Sequence, residues 1–179
     1  MTARDGRCIH VLVMGVAGSG KSTVAAGLSG RLGLEMIEGD KLHPAANVEK
    51  MRNGIPLTDD DRRPWLESLA SLLADRHSQG RATVLACSAL RHSYRDTIRA
   101  AVPAGETYVI ELDADASMLR ARMAHRTGHF MPASLLDSQL ATLEPLADDE
   151  TGMTVDGSAP LHVVIGTASR AIGAWKGDQ

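Results

Sequence analysis

Residues 9–23 read Ile9-His10-Val11-Leu12-Val13-Met14-Gly15-Val16-Ala17-Gly18-Ser19-Gly20-Lys21-Ser22-Thr23. A compact apolar run ends in glycines and then gives way to helical spacing. The run from Ile9 predicts a buried strand. Lys21 to Arg31, with Val24, Ala25, Leu28 and Leu32 at helical spacing, predicts a helix that stops at Gly33. Between the two, Gly15 to Ser22 matches G-x-x-x-x-G-K-S/T at every position. Glycines let the backbone wrap around phosphate oxygens and aim N–H groups at them. The helix N-terminus adds the positive end of its dipole. Lys21 is expected to reach the β- and γ-phosphates of ATP, and the Ser22 hydroxyl to ligate Mg²⁺. The expected nucleotide-binding set is Gly15, Val16, Ala17, Gly18, Ser19, Gly20, Lys21, Ser22 and Thr23.

Outward from this loop, short apolar runs alternate with helical stretches. Leu34 to Ile37 predicts a second strand, and Asn47 to Arg52 a short helix stopped near Gly54. Asp60 or Asp61 is expected to cap the next helix, with Pro64 early in it and Leu66, Leu69, Leu72 and Leu73 on its buried face. Thr83 to Cys87 predicts a third strand, and Arg91 to Ala101 a helix broken by Pro103-Ala104-Gly105. Thr107 to Leu112 predicts a fourth strand. Asp115 to His125 and Pro132 to Leu143 are expected to be helical, and Gly152 to Val155 a weak fifth strand. Pro160 opens a last helix with Leu161, Val164, Ile165, Ala168, Ile172 and Trp175 on one side. Strands alternating with helices mean an α/β fold with a mostly parallel sheet. No repeat or linker divides the 179 residues, so one domain over 1–179 is expected.

Composition excludes several classes. Apolar residues make up 44% and charged residues 23%, an ordinary globular mixture. Aromatics are only 3%, so the core must be aliphatic. A net charge of -3 speaks against a nonspecific nucleic-acid binder, which needs a basic face. Cys8 and Cys87 cannot build a disulfide framework and lack CxxC spacing. No apolar run has the length of a membrane span, and none reads as a signal peptide. A cytoplasmic protein with no membrane partner is expected.

The phosphate loop does not name the reaction. The Asn-Lys-x-Asp guanine-reading motif is absent, and so is Leu-Ser-Gly-Gly-Gln of transport ATPases. The third strand ends in Cys87-Ser88 where a Walker B strand would end in an acid. What is left resembles the small-molecule and nucleoside-monophosphate kinase branch, in which an acid follows the second strand and an arginine lid covers the phosphates. Here the second strand runs into Glu38-Gly39-Asp40. In open α/β sheets ligands bind beyond the carboxyl ends of the strands. Asp40 is therefore the candidate to orient an acceptor hydroxyl and take its proton. Glu38 is a candidate Mg²⁺ partner through water.

The following segment is Glu38-Gly39-Asp40-Lys41-Leu42-His43-Pro44-Ala45-Ala46-Asn47-Val48-Glu49-Lys50-Met51-Arg52-Asn53-Gly54-Ile55-Pro56-Leu57-Thr58-Asp59-Asp60-Asp61-Arg62-Arg63-Pro64-Trp65-Leu66. It closely resembles the gluconate kinase family pattern D-G-D-x-L-H-P-x-x-N-x-x-K-M-x-x-G-x-P-L-x-D-x-D-R-x-P-W-L. The resemblance continues through Cys87-Ser88-Ala89-Leu90-Arg91-His92-Ser93-Tyr94-Arg95-Asp96, Arg126-Thr127-Gly128-His129-Phe130-Met131-Pro132 and Ser138-Gln139-Leu140-Ala141-Thr142-Leu143-Glu144. It spans about Val11 to Val155, with the blocks in the family's order. Two positions depart. Glu38 stands where the family usually has Asp, adding a methylene to the same charge. Leu140 stands where the family usually has Phe, a packing substitution.

The resemblance implies a P-loop kinase three-layer sandwich, with a five-stranded mostly parallel sheet, helices on both faces and a mobile lid at about 122–132. It implies ATP-dependent phosphorylation of D-gluconate to 6-phosphogluconate, usually by a homodimer. A carboxylate with five hydroxyls needs cationic and hydrogen-bonding groups together. His43, Lys50, Arg95, Ser88 and His129 are the expected acceptor contacts, beside Asp40. Asp59, Asp60, Asp61 and Arg62 read as helix capping and dipole complementation. Arg120, Arg122, His125, Arg126 and His129 crowd one stretch of an acidic chain. By analogy with the kinase branch, Arg122 stacks on adenine and Arg126 binds the phosphates through closure, giving Lys21, Asp40 and Arg126 as the catalytic set. Two alternatives stay open: a kinase for another small polar acceptor such as shikimate or a nucleoside monophosphate, and an ATP-binding regulatory protein without turnover.

Overall fold

The structure, a computed structural model, describes residues 8–124 and 135–177. Its strands are β1 (His10–Met14), β2 (Glu35–Glu38), β3 (Thr83–Ala86), β4 (Thr107–Asp113) and β5 (Gly152–Asp156). The helices are α1 (Lys21–Leu32), α2 (Ala45–Arg52), α3 (Asp59–Ser78), α4 (His92–Arg99), α5 (Ala116–Ala124), α6 (Leu136–Thr142) and α7 (Leu161–Gly177). A 3-10 turn, Gly39–Leu42, follows β2. The sheet order is β2-β3-β1-β4-β5, and every neighbouring pair runs parallel. Strand ends agree with the sequence reading to within a residue or so.

Period-2 alternation in strands buried on both faces divides the core into two layers. Val11 and Val13 of β1 point with Val84, Ala86, Ile110 and Leu112 toward Val24, Ala25 and Leu28 of α1 and Val164, Ala168 and Ile172 of α7. Leu12 and Met14 point the other way with Leu85, Cys87 and Val109, toward Trp65, Leu66, Leu69 and Leu73 of α3 and Tyr94 and Ile98 of α4. These layers are aliphatic, as the composition requires, apart from Trp65, Tyr94 and Tyr108 within them. A smaller cluster of Val16, Leu90, Leu119 and Leu136, with Met123, Leu140 and Leu143 against it, ties the phosphate loop to α5 and α6. Leu140 thus packs on apolar neighbours.

One glycine sets the spacing between α1 and α7: a Cβ on Gly27 would stand 2.1 Å from Ile165 Cδ1. Two local expectations are corrected. The N-cap of α3 is Thr58, in a capping box with Asp61, and neither Asp60 nor Asp61 is the cap. Thr58 supplies the hydroxyl that accepts the Asp61 N–H at 3.2 Å. Pro64 therefore lies beyond the first turn, where its missing N–H forgoes an intrahelical bond.

Candidate functional site

The phosphate loop turns back over the C-terminal end of β1 on Gly15, Gly18 and Gly20, whose φ values are 144°, 81° and 97°. All three lie where a side chain would be strained, so the motif's two glycines and Gly18 between them are backbone requirements. Lys21 opens α1 and is buried, its Nζ donating to Val16 O at 3.0 Å. Ser19 Oγ is buried without a hydrogen-bond partner among the described residues. The Ala17 N–H donates to Gln139 Oε1 at 2.6 Å, so α6 fastens the loop from outside.

A pocket opens beside this loop. Its floor is Gly18, Gly20, Lys21, Ser22 and Thr23, and one wall is Asp40 and His43 from the turn after β2. Ser88 and Leu90, following β3, face them, and Arg62, Ser138 and Gln139 complete the polar lining. Met51, Pro56, Leu57, Met123 and Leu135 supply the apolar part. A second hollow shares Gly18, Gly20 and Thr23 and extends to Arg122, Gly157 and Ala159. Arg122 reaches across it, donating to Gly157 O at 3.1 Å and Gly18 O at 3.4 Å. The two hollows meet over the phosphate loop.

The Asp40 wall is held from behind. Trp65 is 1% exposed and its indole N–H donates to Gly39 O at 2.9 Å. The His43 ring stacks on Trp65, centroids 4.2 Å apart and planes 14° from parallel. Burial, with Arg62 adding to it against the opposing Asp40 charge, lowers the His43 pKa to about 4. His43 is therefore neutral near pH 7, and its Nδ1 is buried without a hydrogen-bond partner among the described residues. Under the pocket, burial pushes the Cys87 thiol well above its usual range. The Asp40 carboxylate adds to that rise, Lys21 opposes it, and the Glu38 carboxylate adds further. Glu38 itself is not in the pocket lining.

Two expected acceptor contacts stand elsewhere. Arg95 is fully buried, its Nε and Nη2 donating to Glu150 Oε1 and Oε2 at 2.7 and 2.6 Å. Its remaining donors go to the carbonyls of Ala89, Glu144 and Pro145. That guanidinium is consumed inside the fold and does not line the pocket. Lys50 forms an ion pair with Asp61, 2.6 Å from Nζ to Oδ1. That bond and the Thr58 contacts lower the Asp61 pKa to about 2. Lys50 likewise is not in the lining. Arg126 and His129, with most of the expected lid, lie outside the described residues.

Three polar lining residues, Arg62, Ser138 and Gln139, were not among the expected contacts. Arg62 has a side chain only 14% exposed. It donates to Leu57 O at 2.5 Å, and its guanidinium lies 5.6 Å from the Tyr94 ring centroid. The dipole reading is corrected for Arg62: a cation in the first turns of a helix opposes the dipole, and its local support is an i,i+3 pair with Asp59 at 3.9 Å. Gln139 sits in a quoted block but has no sequence-local mark of its bond to Ala17, 122 residues away.

Comparison with known proteins identifies the family. Residues 11–146 match the profile of a family described as AAA domain. A gluconokinase of Gluconobacter oxydans (strain 621H) is 50% identical over 158 residues, covering 87% of this chain and 86% of that one. The thermosensitive gluconokinase of Escherichia coli (strain K12) is 41% identical over 146 residues, covering 81% and 77%. The crystal structure of a gluconokinase from Sinorhizobium meliloti 1021 superposes with a TM-score of 0.85 at 44% identity, covering 95% of this chain and 94% of that one. With half its positions shared along most of a relative's length, and the same fold in a solved structure, the chain belongs to the gluconokinase family.

Proposed function

We propose that this protein transfers the γ-phosphoryl group of ATP to D-gluconate, giving 6-phospho-D-gluconate. The observation that carries the reading is a pair of hollows that share Gly18, Gly20 and Thr23 of one phosphate loop, the first lined by Asp40 together with Lys21 and Ser22. The loop fits a nucleotide phosphate: three positive-φ glycines shape its backbone, and among the described residues the buried Ser19 hydroxyl has no hydrogen-bond partner. When bound, ATP would supply the phosphoryl group and Mg²⁺ a divalent charge that offsets the phosphates' negative charge. Gly15 to Thr23 would hold the phosphates, with Lys21 spreading positive charge over the transferred group. Ser22 would ligate Mg²⁺, and Glu38 would act through water. Arg122 and Gly157 border the hollow suited to the adenosine end, and Arg126 is assigned to the phosphates.

On the acceptor side, Asp40 orients the attacking hydroxyl and takes its proton. His43, Ser88 and His129 are assigned to gluconate hydroxyls. With Lys50 and Arg95 engaged elsewhere, Arg62 is the cation on the acceptor side of the described lining, and we assign it to the gluconate carboxylate. The chain's residues chiefly position the reactants and exclude water, as phosphoryl transfer requires. No described helix is long and apolar enough to cross a membrane. The family resemblance supports a cytoplasmic homodimer, which light scattering on the purified protein would check.

A coupled ADP-release assay over D-gluconate, other aldonic acids, shikimate and nucleoside monophosphates tests the reading. Gluconate should give the highest kcat/KM. Faster turnover of shikimate or a nucleotide would move the enzyme to another acceptor. ATP binding with no transfer to any acceptor would make it a regulatory protein.

A further inference from the structure

A second cluster of ligating side chains lies at the opposite end of the sheet. Cys8 and His10 flank the start of β1, whereas the phosphate loop follows its end. His10 is in register with Thr83 at the start of β3, and its backbone N–H donates to Glu106 O, just before β4, at 2.8 Å. His77 comes from the last turn of α3. His10 Nε2 stands 3.3 Å from His77 Nδ1 and 3.7 Å from Cys8 Sγ. All three ligand atoms lie within 4.8 Å of one another. Cys8 is 8% and His10 1% exposed, while the His77 side chain is 26% exposed, which leaves a path from solvent.

The two separations from His10 Nε2, 3.3 and 3.7 Å, match edges of a tetrahedron around zinc. Zinc–nitrogen and zinc–sulfur bond lengths place two nitrogens about 3.3 Å apart and nitrogen and sulfur about 3.6 Å apart. The surroundings supply the outer support such a ligand needs. His10 Nδ1 is 2.9 Å from Thr83 Oγ1. With the ring proton there, donating to the hydroxyl, the Nε2 lone pair faces the cluster centre. His77 Nδ1 then faces two acceptors, His10 Nε2 and Glu106 Oε2 at 3.2 Å, with one proton at most between them. Glu106 Oε2 is buried, and its contact with His77 Nδ1 is an ion-pair distance without hydrogen-bond geometry. A cation at the centre satisfies the three ligand atoms, and a water bound to it can donate to Glu106 Oε2.

The geometry points to a zinc site formed by Cys8 Sγ, His10 Nε2 and His77 Nδ1, its fourth position taken by water beside the Glu106 carboxylate. On binding, the Cys8 thiol releases its proton to solvent and the thiolate bonds the metal. The site clamps the start of β1 to the end of α3. It takes no part in phosphoryl transfer.

The test is titration of the untagged, full-length protein with cobalt(II), read by absorbance, then displacement by zinc. One equivalent of cobalt should produce a near-ultraviolet thiolate-to-metal band together with the visible bands of a tetrahedral ion, and zinc should abolish both. Cobalt in an oxygen-lined nucleotide site gives no thiolate band, so the two sites are distinguishable. Cys8→Ser should lose that band entirely, and His77→Gln should weaken cobalt binding at least about tenfold. Zinc should raise the thermal midpoint of the wild type and leave that of Cys8→Ser unchanged. Absence of the band in the wild type overturns the proposal whatever the variants do. Survival of the band in Cys8→Ser would assign it to Cys87 and equally overturn it, as would unchanged affinity in His77→Gln.

Discussion

Arg95 and Glu150 form a two-pronged ion pair with both side chains at 0% exposure, joining α4 to the segment that leads into β5. Glu150 also accepts the Ala147 N–H at 3.1 Å, so both partners are hydrogen-bonded beyond each other. Removing one partner leaves a buried charge. Arg95→Met should cost about 3–5 kcal/mol of stability by urea denaturation, with gluconate KM unchanged in the protein that folds. A rise in KM at normal stability would return Arg95 to the substrate site. The pairing lowers the Glu150 pKa despite the opposing effect of burial. This contribution is present above the ordinary carboxylate range and is lost as pH falls through the lowered value.

Lys21→Ala removes the cation at the transferred group. Turnover should fall at least about 100-fold, by analogy with removal of one preorganised donor from a transition state. The thermal midpoint should change far less than turnover, because the Lys21 ammonium donates to Val16 O within its own loop. Near-normal turnover would rule out the phosphoryl-transfer assignment.

Asp40→Asn separates proton transfer from binding. We expect kcat to drop by about 10²–10⁴-fold, the range for general-base catalysis, with ATP affinity held. A change confined to gluconate KM would make Asp40 a binding residue and not the base.

Arg62→Met should raise gluconate KM at least about tenfold, the loss expected for one hydrogen bond to a charged group, and leave ATP KM in place. Arg62→Lys should recover only part of it, since an ammonium cannot reproduce a planar fork. Equal loss for gluconate and ATP would place Arg62 on the phosphates.

His43 gives a signature in acid. Its folded pKa of about 4 lies below the ordinary 6.5, so the unfolded chain binds its proton first as pH falls. Its contribution to stability is full above 6.5 and is lost progressively toward 4. His43→Phe keeps a ring against Trp65 and cannot titrate. Its thermal midpoint should therefore decline less over that interval than the wild type's, measured by calorimetry. Parallel declines would show that His43 charges freely in the folded protein.

Much of this protein is determined locally. Gly15 to Ser22 needs only its own glycines, lysine and serine to form a phosphate cradle, because φ preference and N–H orientation are properties of adjacent residues. Alternating apolar runs likewise fix the α/β class, since a strand buried on both faces and an amphipathic helix each write their period into the chain. The cap of α3 is Thr58, a few residues before the expected Asp60 or Asp61, because Thr58 and Asp61 satisfy one another and either pattern reads as a start signal. Tertiary structure decided which polar residues face the site. Arg95 lies in a family block and looks like an anion ligand, yet Glu150, 55 residues away, claims it. Arg62 looks like a helix-end residue, yet the path of the chain before α3 turns it into the pocket. Charge and spacing show that a side chain can bind an anion, but only the folded chain shows which anion is nearest. A buried guanidinium must be paired by whatever the fold brings to it.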